Sequence, residues 1–458
     1  MHPLAGPGGL SCPRPERVRG VTVGITAHGI GASPGPVDGR TGLPLAPDCG
    51  EPVYLRTVCE LLWPPPTVVS LDGAGWRAGT GTGERRGGRQ PGTRDFLLVP
   101  GVRRPPLLVP AGARVGAAAV RHYSGQRSSA ARLTARLFSG CLASGLGGAV
   151  FRGRMQVVAP PGADTIERYL ADVVSQDVCV SMYLGPTRAN RKPVLQLLTA
   201  DGAAVAFAKV GVNPLTTELV RRERAALARL AQAGLGHAIA PRVLHHGTWR
   251  DLDVLVVSAL PAWLRRRPLR PGQLAAAMAE VAQIDGLASG PLAESGYLQR
   301  LRSRLASAAP GPDQAALLAS VDKLAARAGA TVLSYGAWHG DWAPWNMSNT
   351  DRGLFVWDWE RFTTDVPLGF DALHHRLQTE LGPGHRDPRS AAADCVRHAA
   401  ALLEPFDVPA GHAPLVAMLY LTDLATRYLV DQQAKVGARH GALNDWLIPV
   451  ITDQAASL

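Results

Sequence analysis

The sequence predicts an α+β protein of two lobes, one small and β-rich, one large and helical, preceded by an N-terminal extension. Three observations carry this. Residues 178–258 read as short strands around one helix. Residues 273–458 read mostly as amphipathic helices. Residues 1–160 show neither pattern consistently. A strand-rich segment followed by a helix-rich one packs as two layers with a cleft between them. A chain of 458 residues is expected to form two or three domains, and its 46% hydrophobic content supplies a sizeable core.

Residues 1–50 are rich in Gly and Pro, without helical or strand period, and are expected to be disordered. Residues 51–160 read as a small basic N-terminal region or domain. Val53–Val58 starts a strand or a helix. Residues 74–94 read as a flexible loop. Phe96–Pro100 and Leu107–Pro110 read as two short buried strands, and 114–143 as helix. The β-rich lobe spans 161–262. Thr165 is placed to cap a helix with Glu167 in its first turn. Strands are expected at Val178–Leu184, Val194–Thr199, Ala203–Val210 and Val254–Ser258, with a tight turn at Ala200-Asp201-Gly202. A helix is expected at Thr217–Ala233, because Leu219, Ala226, Leu227 and Leu230 share one face. The helical lobe, 263–458, carries helices at about 273–288, 295–308, 312–328, 389–404, 412–433 and 443–452. Gly336–Phe362 interrupts them as loop, strand, loop.

Charge divides the chain at the same place. Residues 1–160 hold 19 Arg against 8 acidic residues, while the remainder balances 29 basic against 29 acidic. A basic segment can meet nucleic acid or a membrane surface, but this one lacks the interleaved aromatics on which bases stack. Arg-rich codon bias in a loosely constrained region is the plainer reading beside an acidic partner or a membrane surface, and nucleic acid is not an expected partner. Only four residues are Lys (Lys192, Lys209, Lys323, Lys435) against 44 Arg, so a Lys marks a position that needs an ammonium. No apolar run approaches the roughly 20 residues of a membrane-spanning helix, and no basic start followed by an apolar core marks a secretory leader. The six cysteines form no close pair, which argues against zinc or a disulfide framework and suits a cytoplasmic location.

The interruption holds the chemistry. It reads Trp338-His339-Gly340-Asp341-Trp342-Ala343-Pro344-Trp345-Asn346, followed by Trp357-Asp358-Trp359-Glu360. An Asp on a rigid loop can accept the hydrogen bond of an acceptor hydroxyl held in line with a γ-phosphate. Carboxamide and carboxylate oxygens from Asn346 and Asp358 are the hard ligands magnesium takes. The pattern H-G-D-x-x-x-x-N with D-W-E resembles the signature of the aminoglycoside phosphotransferase and choline kinase family, over about residues 175–430. The resemblance implies a protein-kinase-like fold and an ATP- and Mg²⁺-dependent phosphotransferase acting on a hydroxyl of a small molecule. It implies Asp341 as catalytic base and Asn346 and Asp358 as metal ligands, with His339 bracing the loop by a hydrogen bond.

The other lobe supplies the phosphate clamp such kinases place on a third strand and the helix after it. Lys209 lies on the third strand of that lobe. Glu223 and Glu218 follow on the helix, and Glu223 has the closer context. The loop Gly185–Lys192 carries one Gly and no G-x-G-x-x-G. Backbone amides near Gly185, with Arg188, Arg191 or Lys192, can cover phosphates, and an ordinary basic hairpin explains the loop equally well. Ser258-Ala259-Leu260 is the expected hinge for the nucleotide base. After the metal-binding strand, Asp371 is placed to brace the catalytic loop. His374 and His375 point different ways on a helix, which disfavours a shared metal. Two rival readings follow: a catalytically inactive, nucleotide-binding member that uses its basic N-terminal region for interaction, and a protein kinase. The H-G-D and D-W-E forms and the lack of an activation-loop signature count against the second.

Overall fold

The computed structural model describes residues 51–72, 76–78, 92–99, 107–124, 129–382 and 387–457. The segment expected to be disordered, 1–50, and most of the expected loop 74–94 lie outside these residues.

Ten strands form one antiparallel sheet: β1 (Val68–Asp72), β2 (Trp76–Ala78), β3 (Thr93–Val99), β4 (Leu107–Pro110), β5 (Arg154–Val158), β6 (Cys179–Leu184), β7 (Pro193–Leu198), β8 (Ala204–Gly211), β9 (Val243–Trp249) and β10 (Leu252–Ser258). Their order is β2-β1-β5-β3-β4-β6-β7-β8-β10-β9. The extension and the β-rich lobe therefore share a sheet, joined where Leu107 and Leu108 pair with Tyr183 and Met182. They also share a core. Tyr54, Val58, Leu62 and Trp63 of the helix Glu51–Leu62 and its end pack with Ile166 and Leu170 of the helix Ile166–Val174. Both sets cover Met182, Leu195, Leu197, Ala206 and Ala208 of the strands. Val53–Val58 is thus helical, and Trp76–Ala78 within the expected loop is a strand.

Local chemistry explains the boundaries. Thr165 accepts from the Arg168 N–H as N-cap. The helix expected at Thr217 starts three residues earlier, at Pro214, because Asn213 and Thr216 close a capping box and proline suits the first turn. The helix Pro214–Ala233 buries Val220, Ala226, Leu227 and Leu230 against Leu255 and Val257 of β10.

The helical lobe is built around the helix Ala413–Val430, buried along nearly its whole length. The helices Gly296–Ser307, Pro312–Ala328, Phe370–Glu380, Pro388–Arg397 and Leu447–Ser457 pack round it. The lobe also holds the hairpin Met347–Thr350/Gly353–Val356 and a three-stranded sheet of Ala288–Pro291, Val332–Trp338 and Thr363–Pro367. Among the described residues, no helix is long and apolar enough to cross a membrane.

Candidate active site

The strand Val332–Trp338 delivers the chain to a short loop, and the hairpin after it returns Trp357 beside Asn346, whose carbonyl accepts from the Trp357 N–H at 3.1 Å. This return places Asp341, Asn346 and Asp358 at one end of the hairpin. Asn346 is buried, and its Nδ2 donates to the Asp341 carbonyl and to Asp341 Oδ2, both at 2.9 Å. With the amino side of the carboxamide held this way, Asn346 Oδ1 is left for a cation. Asp358 sits at φ 71°, a left-handed conformation uncommon for a non-glycine residue. Strain of this kind concentrates at functional sites.

His339 is fully buried and locks the loop. Its Nδ1 accepts from the Asp341 N–H at 3.1 Å, which leaves Nε2 to donate to the Trp357 carbonyl at 3.1 Å. Burial pushes its pKa down to about 4, so the imidazole is a neutral brace. Asp371 caps the loop from below, accepting from the N–H groups of His339 at 2.7 Å and Gly340 at 3.1 Å. Arg427 donates to the Gly340 carbonyl at 2.5 Å. Gly340 is at φ +81°, and a Cβ there would stand 2.3 Å from the Arg361 carbonyl, so no other residue fits.

His374 touches Asp341 directly: its Nε2 lies 2.9 Å from Asp341 Oδ1, and its Nδ1 lies 3.1 Å from the Tyr420 hydroxyl. Burial works against ionising Asp341. The His374 hydrogen bond and the nearby Arg427 charge outweigh it and hold the carboxyl below its ordinary range. His375 turns away to the Trp342 carbonyl. Asp365 pairs with Arg300, and Arg361 with Asp431.

Lys209 joins the lobes. Its Nζ donates to Glu223 at 2.7 and 2.6 Å and to Asp358 at 2.7 Å. Burial would lower the pKa of this ammonium, but Asp358, Glu223 and Glu360 raise it above the ordinary lysine value. Glu223 is fully buried, whereas Glu218 pairs with Arg222 on the solvent face.

Residues 193–402 match the model of the phosphotransferase enzyme family, APH. The matched segment starts at β7 and contains Lys209, Glu223, Asp341, Asn346 and Asp358. No curated protein matches the chain. Among solved structures, the chain is similar to choline kinase LicA from Streptococcus pneumoniae, at 14% identity and a TM-score of 0.42, covering 64% of this chain and 99% of the other. It is similar to a thermostable mutant of aminoglycoside phosphotransferase APH(4)-Ia, at 13% identity and a TM-score of 0.41, covering 64% and 98%. Amicoumacin kinase hAmiN, in complex with AMP-PNP and Ca²⁺, shows 13% identity and a TM-score of 0.40, covering 60% and 88%.

Gly185 and the segment Ser258–Leu260 are the remaining expected positions. Gly185 has no positive φ and no neighbour within 4 Å of a would-be Cβ, so nothing at that point requires glycine. The loop instead meets the site through side chains. Lys192 is buried and ion-paired with Glu360, and Asn190 Nδ2 donates to the same carboxylate at 3.0 Å. At the hinge, the Ser258 N–H donates to the Arg242 carbonyl and its hydroxyl accepts from the Arg242 N–H, both within 2.9 Å. The Leu260 carbonyl accepts from Ala262 at 2.7 Å.

The role of Glu360 was not read from the sequence. It lies two residues past Asp358, and Glu223, Asp358 and Glu360 bring carboxylate oxygens within 4.8 Å of one another. The scarcity of lysine was the available signal: of the four lysines, Lys192 pairs with Glu360 and Lys209 with both Glu223 and Asp358.

Proposed function

We propose that the chain is an ATP- and Mg²⁺-dependent kinase that phosphorylates a hydroxyl group of a small molecule. The observation that carries this reading is the reach of Lys209 from the sheet to both Glu223 and Asp358. It assembles the phosphate clamp and the metal-side carboxylate in one cleft, above the loop that holds Asp341.

In this reading Lys209, fixed by Glu223, holds the non-transferred phosphates, and Lys192 adds a second cation from the loop over the cleft. Asn346 Oδ1 and Asp358 are hard oxygen donors of the kind magnesium accepts, and Mg²⁺ bound there would neutralise phosphate charge. Asp341, kept ionised, accepts the hydrogen bond of the acceptor hydroxyl, orients its oxygen toward the γ-phosphorus, and takes the proton late in the transfer. His374 holds one Asp341 oxygen and Asn346 the other, so the carboxylate is presented in one orientation. Positioning and charge neutralisation then supply most of the rate.

The test is Mg²⁺-dependent ADP release across a panel of sugars, amino alcohols, nucleosides and aminoglycosides. Wild-type protein is expected to turn over at least one acceptor class, and Asp341→Ala to lose roughly 10²–10⁴-fold of that rate. Asp341→Ala turning over at the wild-type rate would remove the reading.

A further inference from the structure

The helix Ala113–Ser124 belongs to the extension and lies outside the residues matched to the phosphotransferase family. It crosses the face of the sheet that carries Lys209. At one end it touches the β7–β8 turn, where a Cβ on Gly202 would meet Ala118 at 2.8 Å and the Arg114 carbonyl at 3.4 Å. Val115 and Ala119 then pack with Leu198 of β7. At its other end stand two ring contacts. Tyr123 lies against Tyr183 of β6, with centroids 4.2 Å apart, and His122 against Trp263, with centroids 4.1 Å apart.

Register places these contacts. Tyr183 pairs with Val194, and Val194 pairs with Lys209. Directly paired residues share a face, so Tyr183 is on the cleft side, two strands or roughly 10 Å from Lys209. Trp263 lies three residues past Leu260, and its neighbour Ala262 is tied to the catalytic hairpin by the Ser348 hydroxyl at 3.2 Å. The two ring pairs thus stand between the strand above the cleft and the segment just past the hinge. The phosphate groups belong at Lys209, Asn346 and Asp358, so a nucleotide's base points toward this end. His122 is about nine-tenths buried, and its Nδ1 has no hydrogen-bond partner among the described residues. Burial pushes its pKa down to about 4, which keeps the ring neutral and able to stack or to exchange a hydrogen bond with a neutral base.

We propose that the end of the helix Ala113–Ser124 forms the outer wall of the nucleotide-base slot, with His122 and Tyr123 as specificity-determining residues for the base. The inference rests on the kinase reading of the cleft. It gives the extension a part in nucleotide binding in addition to its place in the sheet. Aromatic rings recognise any base by its face, and a neutral imidazole with a spare nitrogen adds discrimination at the base edge.

The test is equilibrium binding of Mg·ATP and Mg·GTP to full-length wild type, His122→Ala, Tyr123→Ala and Tyr123→Phe. Trp263→Leu approaches the same wall from the other side of the hinge, should an extension variant fail to fold. The alanine variants and Trp263→Leu are expected to weaken ATP by roughly threefold to tenfold, the scale of one lost aromatic contact, and to change the ATP-to-GTP ratio. Tyr123→Phe is expected to keep wild-type affinity. Variants that melt earlier yet keep the wild-type affinity and ratio would make the contact purely structural and overturn the inference while the kinase reading stands. Wild-type protein that bound neither nucleotide would overturn both.

Discussion

His339 shows how a single buried side chain can hold a loop. Both ring nitrogens are committed inside the protein, one to the Asp341 N–H and one to the Trp357 carbonyl. Protonation would break the first bond and charge a fully buried ring. The folded pKa near 4 lies below the ordinary value of 6.5. Between these values the unfolded chain binds a proton that the folded chain refuses. The contribution is therefore present above about pH 6.5 and is lost as pH falls toward 4, at up to about 1.4 kcal/mol per pH unit. Melting curves from pH 7 to 5 should show wild-type protein losing more stability than His339→Asn. Parallel losses would mean that the ring does not titrate against folding. His339, Asp341, Asn346, Asp358 and Lys209 were legible in the sequence because their spacing or rarity carries information. Glu360 and Arg427 were not, since their partners lie 168 and 87 residues away in the chain.

At the scale of elements, the catalytic loop depends on shape as much as on charge. Gly340→Ala would force a Cβ against the Arg361 carbonyl at a positive φ. The expected result is a fall in turnover of tenfold or more, on the scale of a 1–3 kcal/mol strain, with nucleotide affinity largely kept because Lys209 and Glu223 are untouched. Steady-state kinetics beside ATP binding separates the two effects, and equal losses in both would contradict the assignment of the strain to the loop. The strands β6, β7, β8 and β10 were legible because apolar runs and the Asp-Gly turn mark them. The strand β9 was not: its sequence, Val-Leu-His-His-Gly-Thr-Trp, lies at the sheet edge and is mostly half-exposed, so it carries little apolar pattern. The strands β1 and β5 were missed because they are short and pair with each other across more than eighty residues.

At the scale of the molecule, the extension and the β-rich lobe cannot be drawn apart at residue 160. The strand β4 covers the edge of β6, and Tyr54, Val58, Leu62 and Trp63 cover the sheet face opposite the cleft. Removing residues 1–160 would bare a strand edge and a continuous apolar surface, both aggregation hazards. A chain of 161–458 alone is expected to be insoluble or to melt far below the full-length protein, and a soluble, cooperatively folded fragment would contradict this. Composition shift suggested a boundary here, but composition does not report strand pairing. The two-lobed layout itself was legible, because the change from strand to helix periodicity falls between β10 and the helix Gln273–Ala282.

The central claim is that the cleft at Asp341 transfers a phosphoryl group to a small hydroxylated molecule. The most direct measurement is mass spectrometry of a pooled set of such molecules after incubation with Mg·ATP. Wild-type protein should add one phosphoryl group to at least one member, only when Mg²⁺ is present, and Asp341→Asn should add none above background. Products that formed equally with Asp341→Asn, or a wild-type protein that neither bound Mg·ATP nor modified any member of the pool, would contradict the claim.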